Sequence, residues 1–146
     1  MLAVVYLIFN EGYGGRVDLA AEAIRLGRML ASLMPDEPEA HGLLALMLLH
    51  DARREARFVG AELVLLEDQD RALWNDAQIA EGRAVLDQAV ALRGRGPYVL
   101  QAAIASGAFA AEIVPVKVAT RKGEVEVATD EQPGKSDPAK IPTLKP

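Results

Sequence analysis

His50-Asp51 sets an imidazole beside a carboxylate, a pairing that can do base chemistry. Neighbouring residues on a helix point about 100° apart, so the two side chains do not face each other. No serine lies close by in sequence. The spacing therefore predicts a packed or capping histidine. His41 follows Glu37 by four residues, a helical pairing that predicts support for a helix start rather than a metal ligand. The acidic run Glu67-Asp68-Gln69-Asp70 resembles the opening of a calcium loop. That loop requires glycine at its sixth position and glutamate at its twelfth, and counting from Asp68 those places hold Leu73 and Ile79. A solvated turn feeding the next helix is expected instead. Asn10–Gly15 is glycine-rich but lacks the lysine and Ser/Thr of a phosphate-binding loop. Trp74 has the type of an interface anchor, and is expected in the core.

Whole classes of chemistry are absent from the composition. The chain has no cysteine, which removes disulfides, thiolate metal sites and a cysteine nucleophile. No other metal set or cofactor motif emerges, and no small-molecule substrate is evident. Acidic side chains outnumber basic ones, 21 to 16, so the broad basic footprint of a nucleic-acid binder is missing. Cysteine usage fits a reducing compartment, and a cytoplasmic protein is expected.

The elements that must carry these residues follow from periodicity. Met1–Phe9 is apolar, far shorter than the roughly 20 residues a membrane span needs, and has no basic leader. It predicts a core helix with neighbours on every side, including one supplied by a preceding segment. Asn10–Arg16 predicts a loop. Asp18 is expected to cap a helix from Leu19 to about Met34, with Leu19, Ala23, Leu26, Leu30 and Leu33 on its buried stripe. Pro35–Pro38 breaks it, and a second helix is expected to about Arg57, with Arg53, Arg54 and Arg57 opposing its negative terminus. Phe58–Leu66 is β-prone and predicts a short extended excursion. A third helix is expected over Asn75–Leu92, with Ile79, Val85, Leu86, Ala89 and Val90 inward. A fourth runs from Pro97 to Ser106.

Glu22, Leu26, Leu33 and Pro38 recur as Glu81, Val85, Leu92 and Pro97 at a constant offset. Each copy reads helix, proline-bearing linker, helix. The offset exceeds a tetratricopeptide unit of about 34 residues by roughly the length of the extended insertion. The fold class expected is mostly α: stacked, tetratricopeptide-like helical hairpins over residues 1–105. Residues 106–146 are expected to form a β-prone, proline-rich tail, loosely held or disordered. Ile113–Val118 and Glu124–Val127 alternate there like two strands, and four of the eight prolines follow from Pro133 on.

Longer stretches carry a family resemblance. Tyr6–Tyr13 (YLIFNEGY), Ala21–Arg57 (AEAIRLGRMLASLMPDEPEAHGLLALMLLHDARREAR), Leu65–Trp74 (LLEDQDRALW) and Gly96–Ala105 (GPYVLQAAIA) resemble the C-terminal, tetratricopeptide-like extension of extracytoplasmic-function sigma factors. The resemblance implies a parent that directs RNA polymerase to promoters, with its polymerase- and promoter-binding domains upstream. Residues 1–105 would then be a non-catalytic regulatory module that binds no nucleic acid or membrane itself. RNA polymerase or the upstream sigma domains are the partners implied. Family-motif and partner-binding candidates are His50, Asp51, Arg53, Arg54, Glu67, Asp68, Asp70, Arg71 and Trp74.

Ser106–Val116 and the stretch from Arg121 onward resemble an internal segment of thiolases, the acetyl-CoA acetyltransferases. That family implies two cysteines and a Gly-His-Pro histidine, and none has a counterpart here. Thiolase activity is therefore not expected. A free-standing repeat adaptor, or a fusion remnant of sigma-factor and thiolase fragments, remains an alternative reading.

Overall fold

The computed structural model describes residues 1–13, 17–60, 62–66, 68–107, 116–120 and 123–127. The chain divides into two compact units, residues 1–108 and 109–146. The first holds five helices: α1 Leu2–Tyr13, α2 Val17–Leu33, α3 Pro38–Asp51, α4 Asp76–Ala91 and α5 Pro97–Ser106. Two short strands, β1 Phe58–Val59 and β2 Glu62–Leu63, pair antiparallel between α3 and α4. Among the described residues no helix is long and apolar enough to cross a membrane.

The fold is the stacked-hairpin, mostly α architecture expected. Val17 and Asp76, and likewise Pro38 and Pro97, begin matching helices at one 59-residue offset, the separation that also joins Glu39 to Tyr98. α3 is the shared centre. Ala40 through Leu49 are all buried, as a helix apolar around its whole circumference must be. One side of α3 gives Leu43, Leu44, Met47 and Leu48 to a cluster with Val5, Phe9, Ala20 and Ile24 of α1 and α2. The other gives Ala45 and Leu46 to Leu86, Val99 and Ala102 of α4 and α5. Arg28 and Glu81 link α2 to α4 by a two-pronged ion pair, Nε–Oε1 and Nη2–Oε2 both 3.0 Å. It lies in solvent and adds less than about 1 kcal/mol.

Local signals placed the later helices well. Asn75 caps α4 by accepting from the Gln78 N–H at 3.0 Å. Pro97 opens α5, but its cap residue is Gly96, which has no side chain to offer. The Glu39 carboxylate of α3 takes over that duty, accepting from the N–H groups of Tyr98 at 3.0 Å and Val99 at 3.2 Å. Two orphan donors and a positive helix end are thereby satisfied from a neighbouring helix. Glu39→Ala is expected to lower stability by about 1–2 kcal/mol. Glu39→Gln should recover part of the loss by keeping an acceptor. Urea melts of the two variants check this, and equal midpoints for wild type and alanine would remove the capping role.

The earlier boundaries differ from expectation. The glycine-rich break does not begin at Asn10, because α1 continues through Tyr13, and residues 14–16 lie outside the described residues. A Cβ on Gly12 would sit 2.2 Å from the Ala20 nitrogen, so this glycine serves a helix crossing rather than a turn. α2 begins at Val17, placing Asp18 inside the helix rather than at its cap. α3 stops at Asp51 instead of reaching Arg57, and Arg54–Ala56 form a separate 3-10 turn. Leu33 and Val90 face solvent, not the core. α1 buries Val5 and Phe9 but leaves Val4 and Leu7 exposed, so among the described residues it is covered on one face.

In the second unit β3, Val116–Thr120, pairs antiparallel with β4, Gly123–Val127, with Val118 opposite Val125. This is the hairpin the alternation predicted. The expected start at Ile113, and the proline-rich end, lie outside the described residues.

Candidate functional site

Two of the resemblance-bearing stretches, the end of Ala21–Arg57 and Leu65–Trp74, come together where α3 ends. The junction is tied at its base by the Asn75 N–H, which donates to the Ala52 carbonyl at 2.8 Å. Asp51 sits at the negative end of the α3 dipole, an unfavourable place for a carboxylate that calls for a cation. Arg54 supplies it through an ion pair. The Gln78 amide of α4 donates to the other Asp51 oxygen at 2.9 Å and also lies 3.3 Å from the Leu48 carbonyl. Both Asp51 oxygens are thus committed to Arg54 and Gln78. The Asp51 carboxylate is therefore engaged by partners other than the neighbouring imidazole.

His50 is half-buried, and its imidazole pKa is pushed down to about 4, first by burial and then by the positive charges of Arg53 and Arg57. The ring is neutral at pH 7. Because the folded value lies below the unfolded one of about 6.5, the unfolded chain takes up the proton first as pH falls. Stability held by neutral His50 is complete above the unfolded value and is lost as pH drops toward 4. The contribution is at most about 3 kcal/mol. His50→Gln is expected to flatten this part of the pH dependence. Urea midpoints of both proteins at about pH 7 and pH 4.5 test it; an unchanged gap between them would sink the assignment.

Trp74 is not a core residue. It is half-buried, with the guanidinium of Arg53 5.8 Å and that of Arg71 5.5 Å from its ring centroid. Each such contact contributes about 0.5–1 kcal/mol. Its indole N–H is shielded and finds no acceptor among the described residues. Asp70 caps the 3-10 turn Arg71–Leu73 by accepting from the Ala72 N–H at 2.9 Å. Asp68 is exposed in a turn closed by its own N–H to the Leu65 carbonyl, 3.0 Å. Glu67 lies outside the described residues. His41 does not pair with Glu37. It is 8% exposed and its Nε2 lies 3.0 Å from the Pro35 carbonyl, while Glu37 caps α3 at the Glu39 N–H.

Beside Arg53 runs a groove of about 300 Å³, lined by Leu46, His50, Arg53, Leu66, Gln101, Ile104 and Ala105. Sequence reasoning missed it, and missed Gln78 and Glu39. A capless Gly-Pro helix start was the one signal that an outside acceptor had to exist. Among the described residues no three His, Asp or Glu side chains converge as a metal set. What the site offers chemically is fixed positive charge, a neutral imidazole and exposed apolar surface.

The chain belongs to a family described as a family of unknown function (DUF6596), whose model matches residues 1–90. It is 50% identical over 111 residues to "Uncharacterized protein R00370" of Rhizobium meliloti (strain 1021), a match covering 70% of this chain and 26% of that one. It is also 51% identical over 43 residues to an acetyl-CoA acetyltransferase of Yarrowia lipolytica (strain CLIB 122 / E 150), covering 30% of this chain and 11% of that one. The chain thus spans about a quarter or less of the length of these relatives. No solved structure matches it.

Proposed function

We propose that residues 1–105 are a non-catalytic, partner-binding module of an extracytoplasmic-function sigma factor, acting in the cytoplasm on transcription initiation. Its partners would be RNA polymerase or the promoter- and polymerase-binding domains of the longer parent. The observation that carries this reading is the convergence of the two resemblance-bearing stretches, through Arg53, Arg71 and Trp74, into one partly exposed cluster. A helical repeat built this way offers a surface rather than a reaction centre.

The short likeness to an acetyltransferase supports no acyl transfer in this reading, because the chain has no cysteine to act as nucleophile. The test is binding of the purified chain to sigma-factor domains of the same family and to core RNA polymerase, followed by promoter-directed transcription. Binding that is lost in an Arg53→Glu/Arg71→Glu variant is the expected result. Failure to bind either partner would count against the module, and recovery of a partner unconnected with transcription would favour an adaptor.

A further inference from the structure

We propose that the groove between the C-terminal half of α3, Leu66 and α5 is a docking site for an amphipathic helix that carries carboxylates on its flank. The inference builds on the reading of residues 1–105 as a partner-binding module, and adds the chemistry of what binds.

The groove floor is apolar and its walls are unfinished. Of its lining residues Ile104 is 68% exposed and Leu66 54%, and Leu100, one turn before Ile104 on α5, is 49% exposed. Leu100 and Ile104 are four residues apart on α5, so they form one stripe along the helix. α5 is about 15 Å long, the length over which a docked helix sets anchors at i, i+3 or i+4, and i+7. A flexible peptide would order more chain for the same area and so lose more entropy.

Charge selects the occupant. Arg53 lines this groove, Arg71 shares the Trp74 ring with it, and neither has a carboxylate partner among the described residues. Both guanidinium groups lie against the Trp74 ring, which helps to hold them without neutralising them. His50 adds no charge at neutral pH. A carboxylate on the incoming helix would meet the Arg53 guanidinium, with the Arg71 charge on the same indole behind it, and an ammonium would be repelled. The largely apolar lining disfavours a nucleic-acid strand, which would leave Leu66 and Ile104 against phosphates.

The probe is a fluorescein-labelled, helix-stapled peptide with leucines at positions i, i+3 and i+7 and glutamates beside them. A second peptide replaces the glutamates by lysines. Anisotropy with the full chain should show saturable binding of the glutamate peptide, weakened by salt, and much weaker binding of the lysine peptide. Ile104→Asp, a change at an exposed position, should weaken binding about tenfold or more. Arg53→Glu/Arg71→Glu should invert the preference between the two peptides. Equal binding of both peptides, indifference to Ile104→Asp, or competition by a single-stranded oligonucleotide but not by unlabelled peptide would each overturn the proposal. Because no transcription protein is in the assay, peptide binding without polymerase binding leaves the groove assignment standing and removes the sigma-factor reading.

Discussion

Phe9→Ala is expected to destabilise the helical unit by about 3–5 kcal/mol, the usual cost of emptying a buried aromatic site. Phe9 has no exposed surface, and it packs in the cluster that α1 and α2 share with Leu43, Leu44 and Met47 of α3. Its ring lies alongside Tyr6, with centroids 6.4 Å apart and planes inclined by 12°. Tyr6 in turn meets the edge of Tyr98 at 5.6 Å, so the loss at Phe9 loosens a contact that reaches α5. In a unit of this size each kcal/mol shifts the melting temperature by about 4–8 °C, which makes the expected fall 12 °C or more. Leu7→Ala on the exposed face of α1 should change little, within about 0.5 kcal/mol. Urea and thermal melts of the pair check both statements, and a loss below about 1 kcal/mol for Phe9→Ala would mean that α1 is not docked.

Gly42→Val is the second large effect, and its sign is what makes it informative. On a solvent-facing helix position, replacing glycine by a residue with a side chain gains up to about 1 kcal/mol through propensity. At Gly42 an added Cβ would stand 2.6 Å from the Val99 nitrogen and 2.9 Å from its Cα. Those are backbone atoms that cannot swing aside, so α5 must lift from α3. Glu39 lies one turn earlier on α3, so the shift also draws its carboxylate away from the Tyr98 and Val99 N–H groups. The expected cost is about 3 kcal/mol, near the upper end for overpacking, and alanine at the same place should already be destabilising. Amide exchange should show α5 losing protection before α1 and α2. A stabilised Gly42→Ala protein would contradict the close crossing.

The parts of this fold legible in the sequence are those whose causes are local. Asn75 caps its own helix and Pro97 opens its own, so α4 and α5 were placed within a residue or two. The repeat was legible because both copies keep a proline at the same helix start. Gly12 was misread because its reason lies on another helix, where Ala20 passes too close for a side chain. Val90 and Leu33 have the apolar type of core residues, but no neighbour among the described residues covers them. At the candidate site the residue types were readable and the partners were not. Trp74 implied a core only because nothing near it in sequence reveals that Arg53 will arrive over its ring. Gln78 and Glu39 act on groups 27 and 59 residues away, beyond the reach of any periodicity.

The segment between Ala52 and Asn75 begins and ends at a single hydrogen bond, 2.8 Å long, while α3 and α4 pack directly on either side of it. Its two ends are therefore fixed by the scaffold, whatever lies between them. Closing a loop whose ends are already held becomes only slowly costlier with length, about 0.6 kcal/mol for each doubling. The β1–β2 excursion and the acidic turn can thus be lengthened, trimmed or rewritten without disturbing the helix stack. Leu66 and Arg71 thus ride on a segment whose length the helix stack does not dictate, whereas Leu46, Gln101 and Ile104 are placed by α3 and α5.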